Sequence, residues 1–425
     1  MYLGLDLGTS GLKALLIGDD GGALADATAP LGVHRPGPGM SEQRPADWIT
    51  AASAVMDKLA ATHDLGAVSG IGLSGQMHGA VCIDAAGDVL RPAILWNDTR
   101  AHIEAAAMDG DPQFRAISGN IVFPGFTAPK IAWMARHEPE LASRIDKVLL
   151  PKDFLRFWLT GLAVSEMSDA AGTAWLDVGA RDWSEPLLTA CGLTREHMPA
   201  LVEGSAVSGE LRGDLARRWG MNDGVVVAGG AGDNAAAGIG VGALRPGEGF
   251  VSLGTSGVLF VATDGFQPDP ATAVHTFCHA IPDTWHQMGV ILAATDALNW
   301  AAGLFGADAA SFTADLGPVT APGETRFLPY LGGERTPLND AAIRGAFLGL
   351  SHATDKKSLA RAVLEGVVFA FCDCRDAIRA TGSPIDSLIA VGGGSNSDYW
   401  LSALSTALNM PIARAAEGDY GAALG

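Results

Sequence analysis

Apolar residues follow two periods along the chain. Short runs of strand character recur through the first half: VSGIGLSG ending at Gly75, AVCID ending at Asp84, AILW ending at Trp96, KVLL ending at Leu150 and GVVVAGG ending at Gly230. Between them lie longer stretches with the spacing of amphipathic helices: PADWITAASAVMDKLAATH, TAPKIAWMARHEPELA and KDFLRFWLTG. The second half alternates in the same way. HTFCHA is followed by a helix near LAATDALNWAAGLF, the long KKSLARAVLEGVVFAFCDCRDAIRATG, the strand SLIAVGGG and the helix NSDYWLSALSTALN. The pattern predicts mixed α/β structure in both halves. The final residues, Asp419 to Gly425, read as the start of a helix.

A repeat organises the pattern. LGTSG occurs at Leu7–Gly11 and again at Leu253–Gly257, 253 − 7 = 246 residues apart. Each copy follows one apolar run and precedes another, so each predicts a strand, a glycine turn and a second strand. A chain of 425 residues is too long for one hydrophobic core. Two similar domains, each opening on such a hairpin, account for the length. The glycine-rich stretch from Gly238 to Gly249 is the expected crossing between them.

Composition narrows the partners. The formal net charge is −19 and no basic block exists, which argues against nucleic acid and anionic membrane. Of the five cysteines only Cys372 and Cys374 are close in sequence, and C-x-C alone is not a metal spacing. Free thiols in a reducing cytosol are expected. No basic and apolar leader precedes MYLGLDLG, and no uncharged apolar run reaches the roughly 18 residues of a membrane span, so a cytoplasmic location is expected.

The hairpin turns suggest chemistry. The N–H groups of Gly8-Thr9-Ser10-Gly11 can converge as an anion-binding nest. Asp6, at the preceding strand end, could hold Mg²⁺ through water, and Lys13 could add positive charge. Gly254-Thr255-Ser256-Gly257 could hold the same phosphate chain from another side. One such turn is ordinarily just a hairpin; two in equivalent places favour phosphate. The cluster Gly392-Gly393-Gly394-Ser395-Asn396 lets backbone approach a base or ribose, against the plainer reading of a strand–helix turn capped by Ser395 or Asn396.

Gly230-x-Gly232-x-x-Ala235 matches a dinucleotide fingerprint after a strand. That reading fails on charge, because Asp233 would face the pyrophosphate. It fails on order too, because Glu248 precedes its strand instead of ending one. Asp233 read directly is a general base for a substrate hydroxyl, with helix N-cap as the compatible alternative. Gln76, Met77 and His78, at a strand end in the first domain, and Trp96 offer hydrogen bonds, an adaptable wall and a flat ring. That set suits a polyhydroxylated substrate, although a lone histidine is more often a core or turn residue. His275, His279 and His286 could form a metal site, but their alternation favours core positions.

DLGTSG, GQMHG, ILWND, GFTAPK, LLPKDF, SDAAGT, GGAGDNAAA, SLGTSG, FLPYLGGERTP and ARAVLEG, in that order from Asp6 and followed by the glycine cluster at Gly394, resemble the xylulose kinase branch of the FGGY carbohydrate kinases. The resemblance implies the α/β, two-domain actin-like ATPase fold shared with hexokinase and the heat-shock chaperones, built of ribonuclease H-like domains around a cleft. It implies a sugar-binding domain over residues 1–243 and a nucleotide-binding domain over 244–425. Family members continue past GAALG with more helix, so the edge of the second domain is expected to be cut short. It implies phosphorylation of D-xylulose to D-xylulose 5-phosphate, with ATP and Mg²⁺ as cofactors. Asp233 would be the proton acceptor, and Asp6 would act through Mg²⁺. Gln76, Met77, His78, Trp96 and Asn234 would meet the sugar. Thr9, Ser10, Lys13 and Gly254, Thr255 and Ser256 would flank the phosphates, and Gly393, Gly394 and Asn396 would lie by the adenosine. Rival readings are another FGGY sugar or polyol kinase, for ribulose or arabitol, and a protein-binding ATPase of the actin or chaperone kind. The sequence leaves the oligomeric state open, a homodimer included.

Overall fold

The computed structural model describes residues 1–415 and 421–425. By internal contacts the chain divides into two units. One comprises Met1–Gly240, Phe277–Trp285 and Tyr420–Gly425, and the other Val241–Thr276 and His286–Asp419. The single boundary after residue 243 stays a sequence-level proposal beside this more interleaved division.

The first unit is built on a sheet that opens with the predicted hairpin. Tyr2–Leu7 pairs antiparallel with Gly11–Ile17, which pairs antiparallel with Ala23–Pro30. On the other side Tyr2–Leu7 runs parallel to Gly70–Gly75. Gly70–Gly75 in turn runs parallel to Val226–Ala228 and to the short Ala231–Gly232. Val207–Glu210 closes that edge, antiparallel to Val226–Ala228. The inner strands are apolar nearly throughout, as strands covered on both faces must be. Leu3, Leu5, Leu7, Ile71 and Leu73 join Trp48, Val55, Met56 and Leu59 of the helix Pro45–Thr62 in one core.

The second unit repeats the plan. Glu248–Leu253 pairs antiparallel with Gly257–Thr263 and parallel with Ser387–Val391, which pairs parallel with Ile412–Arg414. The strands end at Leu7 and Leu253 and resume at Gly11 and Gly257, so the 246-residue offset of the sequence repeat is also the offset of the strands. The long helix Lys356–Ala380 covers this sheet, burying Val363, Leu364, Val367, Phe371 and Cys374 against Leu253, Leu259 and Ile291.

Four sequence expectations shift in detail. TAPKIAWMARHEPELA is two helices, Thr127–His137 and Pro139–Ala142, because Pro139 denies Glu138 a helical conformation; its φ is −136°. The helix expected near Leu292 begins at Thr295. The helix after the second glycine cluster is capped by Ser397, which accepts from the Trp400 N–H, and not by Ser395 or Asn396. At the chain end, Asp419 and Tyr420 of the expected helix start lie outside the described residues; Gly421–Leu424 is helical. Among the described residues no helix is long and apolar enough to cross a membrane.

Candidate active site

In the first unit the strand ends bring most of the sequence-predicted residues together. Asp6 stands at the end of the first strand, in register with Lys13 across the hairpin and with Ser74 on the parallel neighbour. The Ser74 hydroxyl donates to Asp6 Oδ1 at 2.8 Å. Burial pushes the Asp6 carboxyl up, against the opposing pull of that hydrogen bond and of Lys13.

One turn later the chain forms a polar link. The Thr9 hydroxyl donates to Gln76 Oε1 at 3.0 Å and accepts from Trp96 Nε1 at 2.9 Å. Gln76 Nε2 donates to Gln43 Oε1 at 3.0 Å, and Gln43 Nε2 donates to the Thr9 carbonyl at 2.8 Å. Thr9, expected with the phosphates, thus shares hydrogen bonds with Gln76 and Trp96, expected with the sugar. Gln76 is buried and its amide is engaged on both sides. Its observed part is to tie the hairpin to the neighbouring strand end. Gln43 carries no sequence signal, since it meets Thr9 only through the fold. Ser10 is exposed at the turn.

Past the strand end the chain reverses through His78, which has a φ of 68°, a conformation that costs most residues about 1 kcal/mol or more. The surroundings over-determine it. Lys130 Nζ donates to the His78 carbonyl at 2.7 Å, and the Thr127 hydroxyl donates to the same oxygen at 3.1 Å. The ring stacks on Phe126 with centroids 4.6 Å apart, and Nδ1 lies 2.7 Å from the Gly172 carbonyl. A carbonyl accepts only, so Nδ1 carries the proton. Gly172 has to be glycine: a Cβ there would stand 2.6 Å from the ring.

Asp233 begins the helix Asp233–Gly240 just beyond the short strand Ala231–Gly232. Its Oδ1 accepts from the Asn234 N–H at 2.7 Å and from Asn234 Nδ2 at 2.9 Å. Asn234 therefore orients the carboxylate. Met77 packs against Gly232, where a Cβ would fall 2.9 Å from Met77 Cγ. These glycines serve close packing beside a carboxylate, in keeping with rejection of the dinucleotide fingerprint. Burial, and next the negative charge of Asp6, push the Asp233 carboxyl up to about 7. A carboxylate poised there can take a proton near neutral pH.

The second unit gathers its own set. Between the paired strands, the Gly254 carbonyl accepts from the Thr295 N–H at 2.9 Å and from its hydroxyl at 2.8 Å. The Thr255 carbonyl accepts from the Ala294 and Asp296 N–H groups. The turn of Gly254, Thr255 and Ser256 is thus fixed by the start of the helix Thr295–Leu304. A second glycine turn, Gly393–Asn396, follows the parallel strand; Gly394 is buried against Leu253 and Trp400, while Gly393 and Asn396 are exposed. Among the described residues no three His, Cys, Asp or Glu side chains converge as a metal cluster, His275, His279 and His286 included.

Comparison with known proteins identifies the frame. Residues 1–240 match the N-terminal domain, and residues 249–425 the C-terminal domain, of the FGGY family of carbohydrate kinases. The chain belongs to the FGGY family of carbohydrate kinases. This FGGY chain is 49% identical over 434 residues to the xylulose kinase of Escherichia coli K12, spanning 100% of this chain and 88% of that protein. It is 36% identical over 433 residues to the xylulose kinase of Bacillus subtilis 168, spanning 100% and 86%. The crystal structure of a xyloylose kinase from Brucella ovis superposes with a TM-score of 0.98 at 59% identity, covering 100% of this chain and 88% of that one. Plasmodium falciparum glycerol kinase with ADP, at 19% identity and a TM-score of 0.91, shares the fold. The architecture is the two-domain α/β sugar-kinase fold of the actin-like ATPase type.

Within this FGGY fold, several residues that sequence reasoning left without a role prove to be built into the site. Lys130, in GFTAPK, is fully buried and holds the His78 carbonyl. Burial drives its ammonium well below the usual lysine range. Thr295 fixes the second hairpin turn. Lys152 and Glu166 lie in a fully buried ion cluster. For Lys130 alone a local signal exists, since the residues before it in its helix, Thr127, Ala128 and Pro129, are small or apolar.

Proposed function

We propose that this FGGY kinase transfers the γ-phosphoryl group of ATP to D-xylulose, giving D-xylulose 5-phosphate and ADP. The observation that carries the reading is Asp233: a desolvated carboxylate, oriented by Asn234, that shares Met77 and Gly232 with the strand end bearing His78. The identities to xylulose kinases support the sugar.

Met77, His78 and Trp96 hold the ketose. Asp233 takes the proton of the reacting hydroxyl as its oxygen bonds to the γ-phosphorus. The bond from phosphorus to the β-phosphate oxygen breaks, and ADP leaves with that electron pair. Backbone N–H groups of Thr9 and Ser10, and of Gly254, Thr255 and Ser256, hold phosphate oxygens, with Lys13 adding charge. Gly393, Gly394 and Asn396 border the adenosine. Residues 1–243 take the sugar and 244–425 the nucleotide, in the cytoplasm.

The negative charge of Asp6 opposes ionisation of Asp233. That pairing fits a divalent cation. Asp6 would hold Mg²⁺ through water, and bound Mg²⁺ supplies charge neutralisation on the phosphates.

A coupled ADP-release assay with Mg-ATP tests this across D-xylulose, D-ribulose, L-ribulose, D-arabitol, glycerol, D-gluconate and no sugar. Gluconate is included because a gluconate kinase from Lactobacillus acidophilus superposes with a TM-score of 0.93. Turnover with D-xylulose above all others, lost in Asp233→Ala, is expected. A different preferred sugar would overturn the specificity reading, and sugar-independent ATP hydrolysis would overturn the kinase reading.

A further inference from the structure

We infer that a buried ion cluster, acting through the Ser168 hydroxyl, fixes the Gly229–Gly232 segment and so aims Asp233, making Ser168 and Glu166 positioning residues for phosphoryl transfer. The inference rests on the reading of Asp233 as the base.

The cluster lies wholly inside the first unit. Lys152 Nζ stands 2.7 Å from Asp153, 3.3 Å from Glu166 and 3.2 Å from Asp169, every one of these side chains fully buried. Arg156, also fully buried, pairs with Asp153 at 2.8 Å. Two cations thus face three carboxyl groups. Desolvation drives the Asp169 carboxyl well above the usual carboxylate range, against the pull of Lys152.

Such a cluster is a costly way to fill a core. Apolar residues of equal volume generally give as much stability or more, so its presence calls for another explanation. The explanation offered here is where its hydrogen bonds go. Arg156 Nη2 donates to the Gly229 carbonyl, and Arg156 Nη1 to the Val164 carbonyl at 2.6 Å. Glu166 accepts from the Ser168 and Asp169 N–H groups at 2.7 and 2.9 Å, and from the Ser168 hydroxyl at 3.0 Å. With its proton given to Glu166, the Ser168 oxygen accepts the Gly232 N–H at 3.0 Å.

Gly229 and Gly232 bracket the four residues that precede Asp233, and three of those four are glycine. Glycine has no side chain with which to anchor itself and the widest backbone freedom. The segment is therefore held from outside, its last two residues beside the strand end at Ser74 and Gly75. Gly204 and Ala206 carbonyls hold the Gly230 and Gly229 N–H groups, and the ion cluster holds Gly229 at its carbonyl and Gly232 at its N–H. Gly232 is bonded directly to Asp233, so a rotation of its peptide swings the carboxylate. The charged group that acts on Asp233 is Asp6 on the first strand, itself paired with Lys13 across the hairpin, and the Lys152, Asp153, Arg156, Glu166 and Asp169 cluster reaches the segment through Arg156 and Ser168.

The test compares Ser168→Ala, Ser168→Thr and Asp233→Asn with the wild type. It reads kcat, the sugar KM, the pH dependence of kcat/KM and the melting midpoint. Displacement of a reacting group by about 1 Å can cost up to roughly 100-fold in rate. Ser168→Ala should lose at least about tenfold in kcat with the sugar KM within about twofold. Its acid limb should shift to lower pH as water reaches Asp233. Ser168→Thr, which keeps the hydroxyl, should recover most of the rate. A folded Ser168→Ala enzyme with wild-type kcat and pH profile would overturn the proposal. So would equal losses in both Ser168 variants that follow the melting midpoint. Turnover surviving in Asp233→Asn would refute the base assignment itself, a result independent of either Ser168 variant.

Discussion

Asp233→Asn should stabilise the protein at alkaline pH even as it removes the proposed base. The Asp233 carboxyl is raised from an ordinary 3.8 to about 7. A raised folded-state pKa means the group's favourable contribution is complete below about pH 4 and is lost as pH rises through about 7. A rise of about 3 in pKa, at 1.36 kcal/mol each, amounts to ~4 kcal/mol. Roughly two thirds of that accrues between pH 5 and pH 8. The side chain keeps partial exposure, which trims the effect to about 1–3 kcal/mol over this window. Urea unfolding followed by tryptophan fluorescence can read it, because only Trp300 and Trp400 of the ten tryptophans lie outside the first unit. The asparagine variant should gain on the wild type by that amount between pH 5 and pH 8. A gap that does not change with pH would refute the desolvation argument, and with it the physical basis for calling Asp233 a base at neutral pH.

Gly172→Ala should drive a methyl group into the His78 ring, raising the sugar KM about tenfold or more while the ATP KM stays put, as read by steady-state kinetics. Lys130→Met leaves the Gly125 carbonyl without this donor and the His78 carbonyl with Thr127 alone, and should cost roughly 1–3 kcal/mol in denaturant unfolding, with weaker sugar binding. Thr295→Val removes the hydroxyl bond to Gly254, worth about 1 kcal/mol, so the ATP KM should rise about fivefold with the sugar KM unchanged. Burial pushes the Cys82 and Cys278 thiols up to about 12, so both should resist a thiol-specific chromogenic reagent until the protein is unfolded.

The hairpins were readable because LGTSG between apolar runs is local information: the turn residues and both strands sit within a few positions of each other. Asp233 was readable for a related reason, since three glycines in the five residues Gly229–Asp233 leave one functional side chain. The hydrogen bonds of Gln76 were not readable, because Gln43 and Trp96 reach Thr9 only after the sheet has formed. Lys152 and Lys130 were missed for an opposite reason. A lysine near the start of an amphipathic helix ordinarily marks the solvent face, and nothing in its own helix says that a remote carbonyl or carboxylate has taken it out of water. The break at Glu138 follows from Pro139, whose constraint on the residue before it overrides the helical period that runs through both.

The left-handed turn at His78 has a bearing on how such proteins diversify. The ring is held by Phe126 and Gly172, and the backbone by Lys130 and Thr127. A descendant that exchanged the histidine alone would keep a stacking ring, a carbonyl and an empty hollow shaped for imidazole, and would gain no new recognition in return. Change at this strand end is therefore strongly epistatic. New substrate preferences should arise by replacement of the whole five-residue set, so that related enzymes differ there in steps and not by gradual drift.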